Sequence, residues 1–482
     1  MSVTESSEST ETPDVRTTPP GRSTGWAALR PLVLRLHFYA GVLIAPFLLV
    51  AAGSGLLYAA SYQLERLVYA DELRVPVGDG VELPLSQQVE NARDAYPEGS
   101  ISAIRLSPGA GETTRVLLAG VPDVDDDKTL AVFVDPYTGE VRGALEQYGS
   151  TGALPLRTWI DELHRDLHLG EVGRLYSELA ASWLWVVAGG GLLLFLARWR
   201  ARRARGAGAA EKRPATGRRR TLGLHGTLGA TVAAGLFFLA ATGLTWSAYA
   251  GANVTELRSS LGQSTPDVSP TIEGAAETTP GHEGHPDVSG EAGGGDRPAS
   301  GLWVDEALAI ARAQGIDNPV ELVPPADAES AYVIREVQRA WPTKQDAVAI
   351  NPNGGEVLDV VRFDDYPLLA KLSRWGIDLH MGTLFGLVNQ IALGTLALCL
   401  ITMILLGYRM WWQRGRGGAF GRPLPRGAWR RVPPALLWPL VACVALVGWF
   451  LPLFGVTLLG FLLVDTVLGR VEGAPARFGE GR

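Results

Sequence analysis

Four apolar runs, each long enough to cross a bilayer, dictate what this chain can become. They cover roughly Leu36 to Tyr62, Leu179 to Trp199, Leu222 to Tyr249 and Thr383 to Trp411. About 20 apolar residues in a helix span the hydrocarbon core. A fifth stretch, Pro434 to Leu468, is interrupted by Pro452 and Gly455. It reads as two short spans, or as one span plus a re-entrant piece. The 482 residues are 47% hydrophobic and 19% charged, with a mean hydropathy of +0.12. That is too apolar for an ordinary soluble protein and too polar for a chain wholly in lipid. The expected fold class is therefore a membrane α-helical bundle, of four long spans plus one or two C-terminal ones, carrying two small extracytoplasmic α+β domains. A Ser/Thr/Pro-rich tail over residues 1–30 precedes the first run without a small-residue cleavage site. The first run is thus expected to be a retained span rather than a signal peptide.

Loop charge sets the expected orientation. Arg198 to Arg220 holds ten Lys/Arg against one acid, Glu211, and Arg409 to Arg431 holds seven Arg and no acid. In the two long loops, Glu65 to Glu178 and Gly251 to Leu379, acids clearly outnumber bases. Basic loops stay in the cytoplasm. The N-terminus and both basic loops (200–221 and 412–433) are therefore expected on the cytoplasmic side of the cell membrane, and both long loops outside. Cys399 and Cys443 both lie in apolar runs, which excludes a disulfide scaffold and a Cys-rich metal site. Basic residues cluster beside apolar runs, so the expected surroundings are a lipid bilayer and no nucleic acid.

The chain repeats itself. The first and third spans each open with His, three residues and Gly, at His37/Gly41 and His225/Gly229. Both runs end in a hydroxyl-Gly-Leu phrase, Ser54-Gly55-Leu56 and Thr242-Gly243-Leu244. Each outer loop contains a strand-like run closing in a turn, Val132 to Val141 and Val348 to Val357, with Asp135-Pro136 or Asn351-Pro352 followed by Gly. Such dipeptides are hairpin chemistry. Each loop ends in a similar phrase, Asp166-Leu167-His168-Leu169-Gly170 and Asp378-Leu379-His380-Met381-Gly382. Helical periodicity at Leu85 to Tyr96 and Val304 to Gln314 precedes the strands. One helix on one antiparallel sheet is expected over each of residues 63–178 and 301–380. Residues 250–300, rich in Gly, Ser, Thr, Pro and Glu, read as a solvated insertion.

Five of the seven histidines stand at span ends. An ionisable group at membrane depth marks function by default. The first and third spans place His37 and His225 at one depth near the inner face. The second and fourth place His380, with His164 or His168, at one depth near the outer face. Two levels, each fed by two helices, match the need of a haem iron for axial ligands from opposite sides. The phrase alignment favours His168 as the partner of His380. His164 and His168 are also i and i+4 on one helix face, a spacing that can hold a divalent metal. Small residues (Gly41, Gly53, Gly55, Gly229, Gly243, Gly382 and Gly386) would let a flat macrocycle approach the backbone, or serve ordinary helix packing. Arg35, Arg165 and Arg374 could pair with propionates. His282 and His285 in the insertion, and the acidic group Asp123, Asp125, Asp126 and Asp127, read as solvated. There is no nucleophile elbow, metalloprotease motif, Walker loop or dinucleotide fingerprint.

The residues together resemble the PepSY-associated transmembrane family of bacterial inner-membrane proteins, often iron-regulated. The likeness runs from about Arg30 to Val471. It is carried by Leu36-His37 with Gly41, the run Val134 to Val141, Leu163-His164-Arg165-Asp166-Leu167-His168-Leu169-Gly170, Leu224-His225 with Gly229, and Asp378-Leu379-His380-Met381-Gly382 with Phe385-Gly386 and Asn389-Gln390. The resemblance implies extracytoplasmic PepSY-like domains over a bundle that, in some members, holds two b-type haems and reduces ferric siderophores. In the family pattern the histidine before the second span falls on His164, so both His164 and His168 stand as candidates. The insertion, and the turn Asn351-Pro352-Asn353-Gly354-Gly355, depart from the pattern.

The expected activity is thus ferric-chelate or siderophore reduction by a di-haem b protein. His37, His225, His380, and His164 or His168 would ligate, and a quinol or a cytoplasmic reductase would supply electrons. The alternatives are a non-enzymatic anchored PepSY module that restrains a partner, and a metal-uptake component without redox activity.

Overall fold

The structure, a computed structural model, describes residues 25–77, 80–204, 217–272, 303–415 and 426–473. Most of the N-terminal tail, most of the insertion with His282 and His285, and much of both basic loops lie outside these residues. In chain order, the first copy of the repeat runs α1 (Gly25–Leu43), α2 (Ala45–Val68), α3 (Ala70–Leu73), α4 (Leu85–Ala95), β1 (Ser100–Arg105), β2 (Thr114–Ala119), β3 (Lys128–Val134), β4 (Val141–Tyr148), α5 (Pro155–Arg165) and α6 (Gly170–Ala204). The second runs α7 (Gly217–Thr245), α8 (Ala248–Ser260), α9 (Val304–Ala313), β5 (Val320–Val323), β6 (Tyr332–Glu336), β7 (Ala347–Ile350), β8 (Val357–Val361), α10 (Leu368–Met381) and α11 (Gly386–Trp412). Two helices follow, α12 (Pro434–Phe450) and α13 (Pro452–Gly473).

Among the described residues, α2, α6, α7, α11 and α13 are long and apolar enough to cross a membrane. This is a multi-pass membrane protein. The C-terminal stretch resolves into two helices that turn at Leu451, with α12 the shorter at 17 residues. The first span bends between α1 and α2. Pro46 has no N–H, so the carbonyl of Val42, four residues earlier, loses its helical donor. The hydroxyl of Tyr408 on α11 replaces it, donating to Val42 O at 3.0 Å. In the bundle α6 packs on α7 and α1, and α11 packs on α2 and α7. The core lies between them, around Leu48, Trp183, Leu236 and Leu400.

The two expected separate sheets are one. Eight antiparallel strands run in the order β4-β3-β2-β1-β5-β6-β7-β8. The halves join where β1 meets β5, with Ile104 opposite Leu322 and Arg105 opposite Glu321. Fusion satisfies the backbone groups of two inner edges that separate domains would leave open. Alternation then gives the sheet two faces. One carries Val116, Leu118, Val132, Leu322, Ile334 and Val348, and is covered by α4 and α9 through Val89, Ala92, Ala307 and Ala311. The other faces the bundle. The turns closing the two halves are built alike. Asp135 Oδ1 accepts from Tyr137 N at 2.8 Å, and Asn351 Oδ1 from Asn353 N at 2.9 Å, while Gly139 and Gly355 take φ of 75° and 73°.

A buried ion pair ties α5 to α2. Arg157 grips Glu65 through two hydrogen bonds of 3.0 and 3.1 Å, and Glu65 also accepts from Leu154 N at 3.1 Å. Both side chains are under a tenth exposed. Removing one partner strands the other charge. Glu65→Ala should cost about 3–5 kcal/mol, read as a lowered thermal unfolding midpoint in detergent. Glu140→Ala, at an exposed pair with Arg142, serves as the control. Equal midpoints for the two variants would contradict this account.

Candidate functional site

His37 on α1 and His225 on α7 face each other, with ring centroids 6.2 Å apart and planes at 67°. His37 Nδ1 lies 2.9 Å from the Val187 carbonyl on α6, and His225 Nδ1 lies 3.0 Å from the Met403 carbonyl on α11. A carbonyl only accepts, so each Nδ1 carries the proton and each Nε2 the lone pair. Glycine stands four residues after each carbonyl, at Gly191 and Gly407. A Cβ at Gly191 would stand 3.0 Å from His37 Cε1, and one at Gly407 would stand 3.9 Å from His225 Cε1. These glycines open the flanks of α6 and α11 to an imidazole.

The sheet end of the bundle repeats the device with hydroxyls. His164 on α5 meets Ser54 Oγ at 2.9 Å, and His380 on α10 meets Thr242 Oγ1 at 2.6 Å. Each hydroxyl donates to its own helix, Ser54 to Val50 O at 2.9 Å and Thr242 to Phe238 O at 2.8 Å. With that proton committed, the hydroxyl accepts from the ring, and Nδ1 is again the protonated nitrogen. Gly55 and Gly243 lie under the rings, with positions for a Cβ 3.2 Å from His164 Cε1 and 3.9 Å from His380 Cε1. Burial holds both imidazoles below the ordinary histidine value. His380 falls to about 3, with the nearby His164 adding to the effect of burial. Neutral imidazole is the form that binds metal. All four of these hydrogen bonds are made at Nδ1 rather than at Nε2.

The structure does not bring His168 to this group. It sits in a left-handed turn with Leu167, at φ of 56° and 58°. Its Nδ1 lies 3.0 Å from Glu162 and its ring packs on Trp159 at 5.0 Å. Of the two candidates it is His164, not the His168 favoured by the shared phrase, that the structure places near His380. The arginines considered for propionates are also engaged elsewhere. Arg35 binds Asp465 on α13, Arg165 donates to Tyr148 Oη at 2.7 Å, and Arg374 pairs with Asp378 at 3.0 Å. Of the glycines, Gly55 and Gly243 seat imidazoles, Gly229 packs near Met403, and Gly382 ends α10 at φ 85°. A Cβ at Gly41, Gly53 or Gly386 would meet nothing within 4 Å.

Ser54, Thr242, Gly191 and Gly407 carry the site beside the histidines. The signal for them was a constant offset. A shift of 188 residues relates His37 to His225 and Ser54 to Thr242, and a shift of 216 relates His164 to His380 and Gly191 to Gly407.

The spacing of His37 and His225 fits a metal held between two imidazoles. Two imidazoles sharing one metal through bonds of about 2 Å hold their ring centres roughly 6 Å apart, and His37 and His225 meet that spacing. Among the described residues no group of three or more His, Cys, Asp or Glu could hold a metal ion. A bare ion between two imidazoles would lack further ligands, which a porphyrin brings with it.

A comparison with curated proteins finds no significant match. The family model described as the PepSY-associated TM region matches residues 34–414, which include all five candidate histidines. The chain belongs to the PepSY-associated transmembrane family.

Proposed function

We propose that this protein is a membrane-bound di-haem b reductase that passes electrons across the bilayer to a ferric chelate. The observation that carries this reading is the shared state of four imidazoles. Each is tethered through Nδ1, which would leave Nε2 for a metal. His37 and His225 would hold one haem at the basic end of the bundle, and His164 and His380 a second at the sheet end. Bound haem supplies a one-electron iron centre held by two neutral imidazoles. The tethers to Val187, Met403, Ser54 and Thr242 fix ring orientation and tautomer, as partners of ligating histidines do. The bundle keeps water from both levels, and the sheet end presents a polar surface to the chelate. The overall reaction is one-electron reduction of Fe(III) to Fe(II), which loosens hard oxygen donors and releases iron. The electron would come from a quinol or a cytoplasmic reductase. In this reading the N-terminus and the basic loops face the cytoplasm, and the protein sits in a bacterial inner membrane. A purely mechanical PepSY anchor would leave the four tethered imidazoles without a role.

The test is haem stoichiometry in the full chain, purified after expression with ample haem. The expected result is two haem b per chain. His37→Ala and His380→Ala should each leave one, and His168→Ala should leave two. No haem in the parent protein, or a loss on His168→Ala equal to that on His380→Ala, would overturn the assignment.

Two substitutions probe the tethers. Gly191→Leu fills the space of the His37 ring, and should remove the basic-end haem while leaving the sheet-end one. Thr242→Val deletes the acceptor for His380 Nδ1 at nearly constant volume. It should weaken haem binding at the sheet end by roughly 10–100-fold, measured by titrating the apoprotein with haemin. Parent-like affinity in Thr242→Val would show that the hydroxyl does not orient the ring.

A further inference from the structure

The bundle-facing side of the sheet carries an ordered row of charge across its seam. Arg115 on β2 is the cross-strand partner of Arg105 on β1, Arg105 of Glu321 on β5, and Glu321 of Arg335 on β6. Three guanidinium groups thus stand beside one carboxylate. Glu321 serves Arg105 at 2.6 Å and lies 3.9 Å from Arg335. Arg115 has only neutral acceptors among the described residues, Gln147 Oε1 at 3.2 Å and Gly152 O at 3.5 Å. Arg335 Nε is buried without a hydrogen bond. Like charges directly opposite on neighbouring strands are destabilising, so the Arg105/Arg115 pair opposes folding. Local rules are broken in this way mainly at functional sites.

More positive charge converges from outside the row. Arg339, in the segment after β6, donates to Ser150 Oγ at 3.0 Å and to Asp378 at 3.1 Å. The Ser150 carbonyl accepts from Arg105 at 3.1 Å, and the Gly152 carbonyl accepts at 2.8 Å from Arg157, whose own charge Glu65 balances. Asp378 must also serve Arg374. Holding a turn by its carbonyls needs donors but not net charge, so the excess of guanidinium is left over by a structural role. The place matters too. Asp378, which Arg339 holds, precedes His380 by two residues on α10. The Arg335 side chain is 37% exposed, so the row reaches solvent at that end.

We infer that the row Arg115, Arg105 and Arg335, with Arg339, is a recognition site for an anionic metal chelate, whose carboxylate or phenolate oxygens pair with the guanidinium groups beneath the seam. The identity of the ligand as a chelate rests on the reductase reading; the excess of positive charge does not. Planar guanidinium matches such oxygens bidentately. A lipid phosphate offers the same chemistry, and the experiment separates the two.

The test uses the full chain in nanodiscs of zwitterionic lipid, with gallium(III) chelates as redox-inert stand-ins for iron. A trianionic gallium tris-catecholate and a neutral gallium trihydroxamate are compared by calorimetry. The catecholate should bind about tenfold or more tightly than the hydroxamate. Arg115→Gln and the more exposed Arg335→Gln should each erase most of that preference, and Arg115→Lys should restore part of it. Discs containing anionic lipid should give the same result. Equal affinity for the two chelates, a preference untouched in both glutamine variants, or binding abolished by anionic lipid would overturn the inference. Gallium binding needs no electron transfer, so the two readings fail separately. A haem-free protein that prefers the catecholate refutes only the reductase. A protein with two haems and no preference refutes only this site.

Discussion

Everything in this bundle turns on how an imidazole is held. A histidine in apolar surroundings must place its N–H on an acceptor or lose a hydrogen bond. Here each of four rings spends Nδ1–H on a neighbouring helix, on the carbonyls of Val187 and Met403 and on the hydroxyls of Ser54 and Thr242. That satisfies the donor, sets the tautomer and leaves Nε2 as a lone pair. Main-chain carbonyls can take a second donor only where the helix flank is open, and Gly191 and Gly407 open it. The glycines, the tethers and the helix pairing are thus one arrangement seen at three scales.

Much of this was legible in the sequence, because the constraints were local or repeated. Spans follow from apolar length, and the hairpin turns follow from Asp135-Pro136 and Asn351-Pro352. The two histidine levels follow from spans that alternate in direction. The choice between His164 and His168 was not legible from the shared phrase, for a physical reason. In the second copy α10 runs through His380 to a glycine cap at Gly382. In the first copy α5 stops at Arg165, and Leu167 and His168 form a left-handed turn into α6. The same letters occupy different backbones. The fused sheet was equally hidden, because the β1–β5 pairing joins residues more than two hundred positions apart and leaves no local signature.

The sheet and the bundle are joined by charge rather than by apolar packing alone. Glu65 at the end of α2 receives Arg157 from α5, the helix that carries His164. Asp378 on α10, fully buried, receives Arg374 from its own helix and Arg339 from the sheet side. Each sheet-end histidine therefore sits on a short helix pinned by a buried ion pair, and breaking such a pair is costly. The repeat preserves this logic without preserving the residues, since one copy ties its helix to the preceding span and the other to the sheet.

The central claim is that paired imidazoles grip iron at two levels, and low-temperature electron paramagnetic resonance of the oxidised, purified protein tests it most directly. The account predicts low-spin ferric signals of bis-imidazole haem integrating to two irons per chain. A preparation made with ample haem that shows no such signal, or only high-spin iron, would contradict it.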